Sequence, residues 1–224
     1  MVDPITPPAR LGLQLATGAL ALIAAAWLFG AIAEDVVTGD RLTVVDVELA
    51  RWLHERATPG LTRWVLVVTN LHSTIAISCY GAVLALLFAF RRHWRRVVAL
   101  LVCLAGGLAL NVLMKLAFHR ARPVFDHPLL TLSSYSFPSG HVAGATIFYG
   151  LGVVFVFMQT RRWRPRIAAL VVAGLAITVV AFSRTYLGVH YLSDVAAAFA
   201  EGVAWLAVSL TALDAYWRRR DRAR

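Results

Sequence analysis

Six stretches of the chain stay apolar for about the 20 residues that a helix needs to cross the hydrocarbon core of a bilayer. They run over 11–33, 64–90, 97–118, 141–159, 166–184 and 192–216. Inside lipid a backbone N–H or C=O has no water to bond with, so each run must satisfy its own groups and is expected to be a helix. The expected fold is therefore all-α, a polytopic membrane bundle of six transmembrane helices. Composition agrees. Charged residues make up 15% of the chain and hydrophobic ones 59%, against roughly 25% charge in soluble domains. No repeat, low-complexity stretch or linker divides the sequence, so 1–224 reads as a single domain. The first run has no small-residue cleavage site before Glu34–Asp35, which argues for a retained span over a signal peptide.

Between the first two runs, segment 34–62 is charged and mixed. Asp46 to Arg56 interleaves Val47, Leu49, Ala50, Trp52 and Leu53, and Thr58-Pro59-Gly60 breaks the pattern. It is expected to form a short interfacial helix. Cys79 and Cys103 fall inside apolar runs and are expected to be small buried hydrophobes, neither a disulfide nor a metal pair.

The net charge of +10 raises nucleic acid as a partner, but the placement of the charge argues against it. Arginines come in bursts at 91–96, 161–166 and 218–224, between spans, as in loops that hold helices at an anionic membrane face. With Arg10 these bursts carry 14 of the 22 basic residues. That side is expected to be cytoplasmic, with both termini inside and loops 34–63, 119–140 and 185–191 outside the cell membrane. Trp94, Trp163 and Trp217 lie within the same bursts, where an aromatic belt is expected.

Ionisable groups within spans are costly and tend to be functional. Three clusters stand on the outer side. Lys115 to Pro123 closes the third span, and the spacing of seven between Lys115 and Arg122 places them on one helical face. Pro123 is expected to end that helix. Ser136 to His141 opens the fourth span, with Ser139 as N-cap and Gly140 allowing a close backbone approach. Free N–H groups there suit an anion. Ser183 to Asp194 joins the last two spans. His190 and Asp194, four apart, are expected to meet, so that the carboxylate fixes one imidazole nitrogen and frees the other. Singly, these clusters could be snorkelling cations, a capped helix and a loop histidine. Together they supply three cations, a helix N-terminus, two histidines and a carboxylate, an inventory suited to a multi-oxygen anion and phosphoryl transfer.

With those residues in view, the chain resembles the type 2 phosphatidic acid phosphatase family of membrane lipid phosphatases, which shares its site with vanadium-dependent haloperoxidases. The family signature K-x6-RP, PSGH and SR-x5-H-x3-D is matched at Lys115–Pro123, Pro138–His141 and Ser183–Asp194, a motif region of 115–194. The resemblance implies that His190 attacks phosphorus to form a phosphohistidine, oriented by Asp194, with His141 protonating the leaving oxygen. It implies that Lys115, Arg122, Ser139, Gly140 and Arg184 hold the phosphate oxygens, and that neither divalent metal nor cofactor is needed. The carboxylates Asp126, Asp194 and Glu201 are too scattered to suggest a two-metal site. The implied substrates are undecaprenyl diphosphate, phosphatidic acid or phosphatidylglycerol phosphate.

Ala198 departs from the family pattern, standing where many members have glycine. Glu201 is expected to be a structural hydrogen-bonding group, with a polar route into the site as the alternative. His119 is expected to be an interfacial residue without chemical role, although four residues after Lys115 it could also face the site. Competing readings are a lipid phosphotransferase with an alcohol acceptor, a haloperoxidase, an intramembrane serine protease using Ser139, and a non-enzymatic membrane protein with a decayed site. The sequence does not choose the lipid or the oligomeric state.

Overall fold

The computed structural model describes residues 7–223, with side chains from residue 16 onward; of the arginines counted above, the side chain of Arg10 and the whole of Arg224 lie outside that description. Eight helices and no strands occur among those residues: α1 (Pro7–Thr38), α2 (Arg41–Glu55), α3 (Pro59–Leu71), α4 (Thr74–Phe90), α5 (Trp94–Phe118), α6 (Gly140–Gln159), α7 (Trp163–Tyr186) and α8 (Leu192–Arg222). Five are long and apolar enough to cross a membrane, and the pair α3–α4 supplies a sixth crossing if taken as one span bent by 44°. The protein is a multi-pass membrane protein.

The bend corrects the expectation of one continuous helix over 64–90. Local capping causes the break. The Ser73 side chain accepts from the Ala76 N–H at 3.2 Å, starting a new helix where the old one has ended at His72. His72 fastens the break to α6, its Nε2 lying 2.8 Å from the Tyr149 hydroxyl. At the start of α3, Thr58 is the N-cap and Pro59 occupies the first turn, where the missing N–H is harmless.

α8 is the central element, with α1 and α6 packed along it and α7 behind α6. Small residues permit the closest approaches, as expected where lipid provides no hydrophobic drive between helices. A Cβ on Gly202 would lie 2.8 Å from Thr146, and one on Gly106 would lie 2.3 Å from the Trp205 ring. Ala198 is fully buried against Val142, Ala145 and Val180, so the bundle accommodates it in place of glycine. Outward faces are apolar instead of polar: Leu20, Ile23, Leu86 and Val172 are all exposed. Cys103 is buried as expected. Cys79 is exposed, a correction whose reason is the same, since in a lipid-facing helix apolar sequence does not imply burial.

The two ends of the bundle differ. At one end the arginine-rich turns stay open: Arg95 pairs with Asp221 at 2.6 Å with both side chains half exposed, and Arg95 and Arg164 lie over Trp217 and Trp163. At the other end, the close of α5, the start of α6 and the α7–α8 turn converge beneath α2.

Candidate active site

His190 sits in the short turn between α7 and α8 and is 2% exposed. Its N–H donates to the Arg184 carbonyl at 3.3 Å, tying the turn back to α7. The ring is held between opposite charges. Nδ1 lies 3.3 Å from Asp194 Oδ2, and Nε2 lies 3.2 Å from a guanidinium nitrogen of Arg122. The contact with Asp194 forms as expected from the spacing, although α8 begins only at Leu192. Asp194 stands in the first turn, where a carboxylate suits the helix dipole, and accepts from the Tyr191 N–H at 2.9 Å and from the Ser136 hydroxyl. Burial, together with the charges of Arg122 and Arg184, holds the His190 imidazole down to about 3, against the opposing pull of Asp194. The ring is neutral at physiological pH.

Arg122 arrives by a different route from the one its spacing suggested. α5 stops at Phe118, and His119 takes a left-handed φ of 48° while its N–H closes onto the Lys115 carbonyl at 3.1 Å. Residues 119–123 are not helical, so Lys115 and Arg122 do not share a helical face. The non-helical segment carries Arg122 over the site instead. Pro123 disfavours helix at the residue before it, but the helix ends earlier, at a left-handed residue. His119 itself is exposed, its ring against Tyr135.

The other cations approach from separate elements. The Lys115 ammonium donates to the Tyr135 carbonyl at 2.8 Å. Arg122 donates to Ser134 and Tyr135 carbonyls at 2.7 and 3.0 Å. Arg184 is 1% exposed and its guanidinium bonds only Thr69 of α3, leaving Nε and one terminal nitrogen without a partner among the described residues. None of these three has a carboxylate within ion-pair distance among the described residues; their partners are neutral oxygens and, for Arg122, the His190 imidazole nitrogen.

The Pro138–His141 block forms the entry to α6, after a cis Phe137–Pro138 peptide. Ser139 occupies the N-cap position, but its side chain makes no cap bond. The buried hydroxyl has no partner among the described residues, and the Ser139 N–H is anchored to the Asp194 carbonyl at 3.1 Å. Ser139 is thus a cap by position only. At Gly140 a Cβ would stand 3.0 Å from Asn111 Oδ1. Asn111 in turn donates to Glu201 at 2.9 Å, so Glu201 is a buried hydrogen-bonding group of the bundle, next to the α6 entry. His141, in the first turn of α6, lies in the field of Arg184, His190, Arg122 and Lys115. All eight expected site residues therefore gather at one end of the bundle.

Two residues escaped the sequence reading. Arg120 bonds Asp194 at 2.6 Å and Asp46 at 2.8 Å, and Asp46, in α2, is wholly buried. Burial opposes Arg120's charge, yet these two carboxylates hold its proton more tightly than an ordinary arginine does. The available signal was a lone carboxylate in the run Val44-Val45-Asp46-Val47. No group of three or more potential metal-ligating side chains occurs among the described residues.

An all-helical membrane bundle with a recessed histidine–carboxylate pair beside cations without carboxylate partners defines a structural class, the multi-pass membrane proteins with a buried charged site at one end of their spans. Within it, the chain belongs to the PAP2 superfamily, whose model matches residues 96–218. Phosphatidylglycerophosphatase B of Bacillus subtilis is 35% identical over 118 residues, covering 52% of this chain and 57% of that protein. Undecaprenyl-diphosphatase of Sulfolobus acidocaldarius is 27% identical over 129 residues, covering 55% and 58%. This chain thus spans less than two thirds of either relative's length. The crystal structure of a transmembrane PAP2 type phosphatidylglycerolphosphate phosphatase from Bacillus subtilis matches with a TM-score of 0.77 at 25% identity, over 85% of this chain and 94% of that one.

Proposed function

We propose that the protein is a membrane phosphatase that hydrolyses a lipid phosphate or diphosphate through a phosphohistidine at His190. The observation that carries the reading is the setting of one imidazole. Its Nδ1 faces Asp194, and its Nε2 faces Arg122, beside two further cations without carboxylate partners. A neutral imidazole with one nitrogen fixed by a carboxylate is a nucleophile at the other.

In the first step Nε2 attacks phosphorus, a P–N bond forms and the bond to the lipid oxygen breaks, with His141 giving that oxygen its proton. Water, deprotonated by His141, then attacks the phosphohistidine, releasing phosphate and restoring His190. Lys115, Arg122, Arg184, the Ser139 hydroxyl and the backbone at Gly140 balance the charge that gathers on the phosphoryl oxygens, where donors fixed in advance are worth most. No residue in this scheme calls for a divalent metal.

The names of the relatives support lipid substrates, with phosphatidylglycerol phosphate and undecaprenyl diphosphate as the first to try and phosphatidic acid beside them. The concentration of arginines at the far end of the bundle supports an extracytoplasmic site in the cell membrane, with both termini cytoplasmic. Residues 1–224 act as one domain in this reading, since α1 and α2 pack on α8.

The test is phosphate release by purified protein in detergent, with EDTA present, across those three lipids. Turnover of at least one, inhibited by vanadate, is expected. An added alcohol separates water from alcohol as acceptor. Absence of release from every lipid would contradict the proposal.

A further inference from the structure

Asp46 is an unusual residue to find buried. Its neighbours Val44, Val45 and Val47 on α2 are exposed while Ala50, one turn on, is buried, so the carboxylate sits on the inward face of the helix among apolar residues. An unpaired carboxylate at such depth would cost several kcal/mol. Asp46 is instead fully engaged: it accepts from Arg120 at 2.8 Å, from the Ser193 N–H at 2.9 Å and from the Ser193 hydroxyl. All of these partners lie next to Asp194 in sequence or in space.

Arg120 forks between the two carboxylates. One terminal nitrogen donates to Asp194 Oδ1 and to Ser193 Oγ, both at 2.6 Å, and the other reaches Asp46. The guanidinium plane also lies over the Tyr191 ring at 4.4 Å. The division of labour on Asp194 is sharp. Oδ2 receives Ser136, the Tyr191 N–H and His190, whereas Oδ1 has Arg120. Arg120 therefore fixes the rotation of the carboxyl group whose other oxygen faces the imidazole.

We propose that Asp46 and Arg120 are positioning residues: Asp46 braces Arg120, Arg120 fixes Asp194, and Asp194 thereby aims His190. The proposal rests on the assignment of His190 as nucleophile. It gives α2, which lies outside the segment matched by the family, a part in the reaction without contact with substrate. One non-helical segment then governs both nitrogens of the ring, through Arg120 and Asp194 at Nδ1 and through Arg122 at Nε2. Asp46 also balances Arg120's charge, so that Asp194 keeps its pull on the imidazole instead of being neutralised by the guanidinium alone.

The experiment compares D46N, R120K and H190A with the parent in phosphate release from the lipid that the parent turns over. Folding is checked by gel filtration in detergent and by thermal melting. R120K keeps the charge but loses the planar fork, and it serves as the second variant should D46N fail to fold. The expected result is a kcat lower by roughly 10–100-fold, the usual effect of removing the outer partner of an oriented side chain. KM is expected to stay within about threefold, since the phosphate-holding cations are untouched. A purely structural brace would lower the melting temperature or the yield and leave the kcat of folded protein unchanged. Parent-like kcat in folded D46N or R120K, or a change confined to KM, overturns the proposal while an inactive H190A leaves the nucleophile standing. Parent-like activity of H190A would overturn the nucleophile assignment, and this proposal with it.

Discussion

Two halves of the site draw on arginines two residues apart and treat them differently. In the braced half, Arg120 is shared between Asp46 and Asp194 and is nearly buried among them. In the open half, Arg122, Arg184 and Lys115 meet carbonyls, hydroxyls and an imidazole nitrogen, and buried donors of Arg184 and Ser139 have no partner among the described residues. A cation held by carboxylates contributes alignment, because its charge is already balanced. A cation held by neutral oxygens keeps its charge for an incoming anion. Arg120 and Arg122 both come from the segment that follows α5, so one piece of backbone contributes to each half.

Breaking the open half should have the largest effect. Arg122→Gln and Arg184→Gln are each expected to lower kcat/KM by roughly 10²–10³-fold, the range for removing one preorganised donor to a developing oxyanion. That exceeds the loss expected from D46N; steady-state kinetics on the parent's best lipid checks the ranking. The reverse order would mean that the two halves had been assigned the wrong way round.

The comparison also fixes a sign for pH. His190 is depressed from 6.5 to about 3 by burial and by Arg122 and Arg184, with Asp194 opposing and His141 nearby. A histidine depressed in the fold contributes stability that is present above its unfolded value and lost as pH falls through the folded one. The melting temperature of the parent should therefore decline between pH 6.5 and 3 more steeply than that of His190→Asn. In NMR of ring-labelled histidine, the resonance missing from H190A should stay in its neutral form from pH 7.5 to about 5, since its folded value lies near 3. In Arg122→Gln it should begin to titrate at higher pH, because a nearby cation has gone.

A smaller effect is expected next to the site. Asn111→Ala deprives Glu201 Oε2 of its donor while Oε1 already lacks one among the described residues. A loss of about 1–3 kcal/mol is expected for a buried polar group left unpaired, read as a lower melting temperature in detergent. The least effect should come from the far end of the bundle. Arg95→Gln breaks an exposed pair with Asp221, and exposed pairs contribute about 0–1 kcal/mol. Turnover should not change.

Much of the open half was legible in the sequence, because its residues are ionisable groups at the ends of apolar runs, where membrane insertion makes charge conspicuous. Lys115, Arg122, His141, Arg184 and His190 stood out on that ground, as did Asp194 of the braced half. The route by which Arg122 reaches the ring did not, since the left-handed turn at His119 ends α5 where no proline or glycine marks it. The braced half was harder to read. Asp46 meets Ser193 from 147 positions away, and α2 leaves Val44, Val45 and Val47 exposed while burying a carboxylate, against the pattern on which amphipathic readings depend. The break at His72–Ser73 lies in the polar stretch Thr69-Asn70-Leu71-His72-Ser73-Thr74, which is short enough to be averaged away in a span-length apolar run, and a serine cap starts the new helix there.

The proposed mechanism requires an imidazole aimed at phosphorus from among carboxylate-free cations. Rapid quenching of the purified protein with a lipid substrate labelled with radioactive phosphorus in its phosphate tests it directly. An acid-labile, base-stable label on the peptide containing His190, absent from H190A, is the result expected. Full turnover with no label at His190, or equal labelling of H190A, would contradict it.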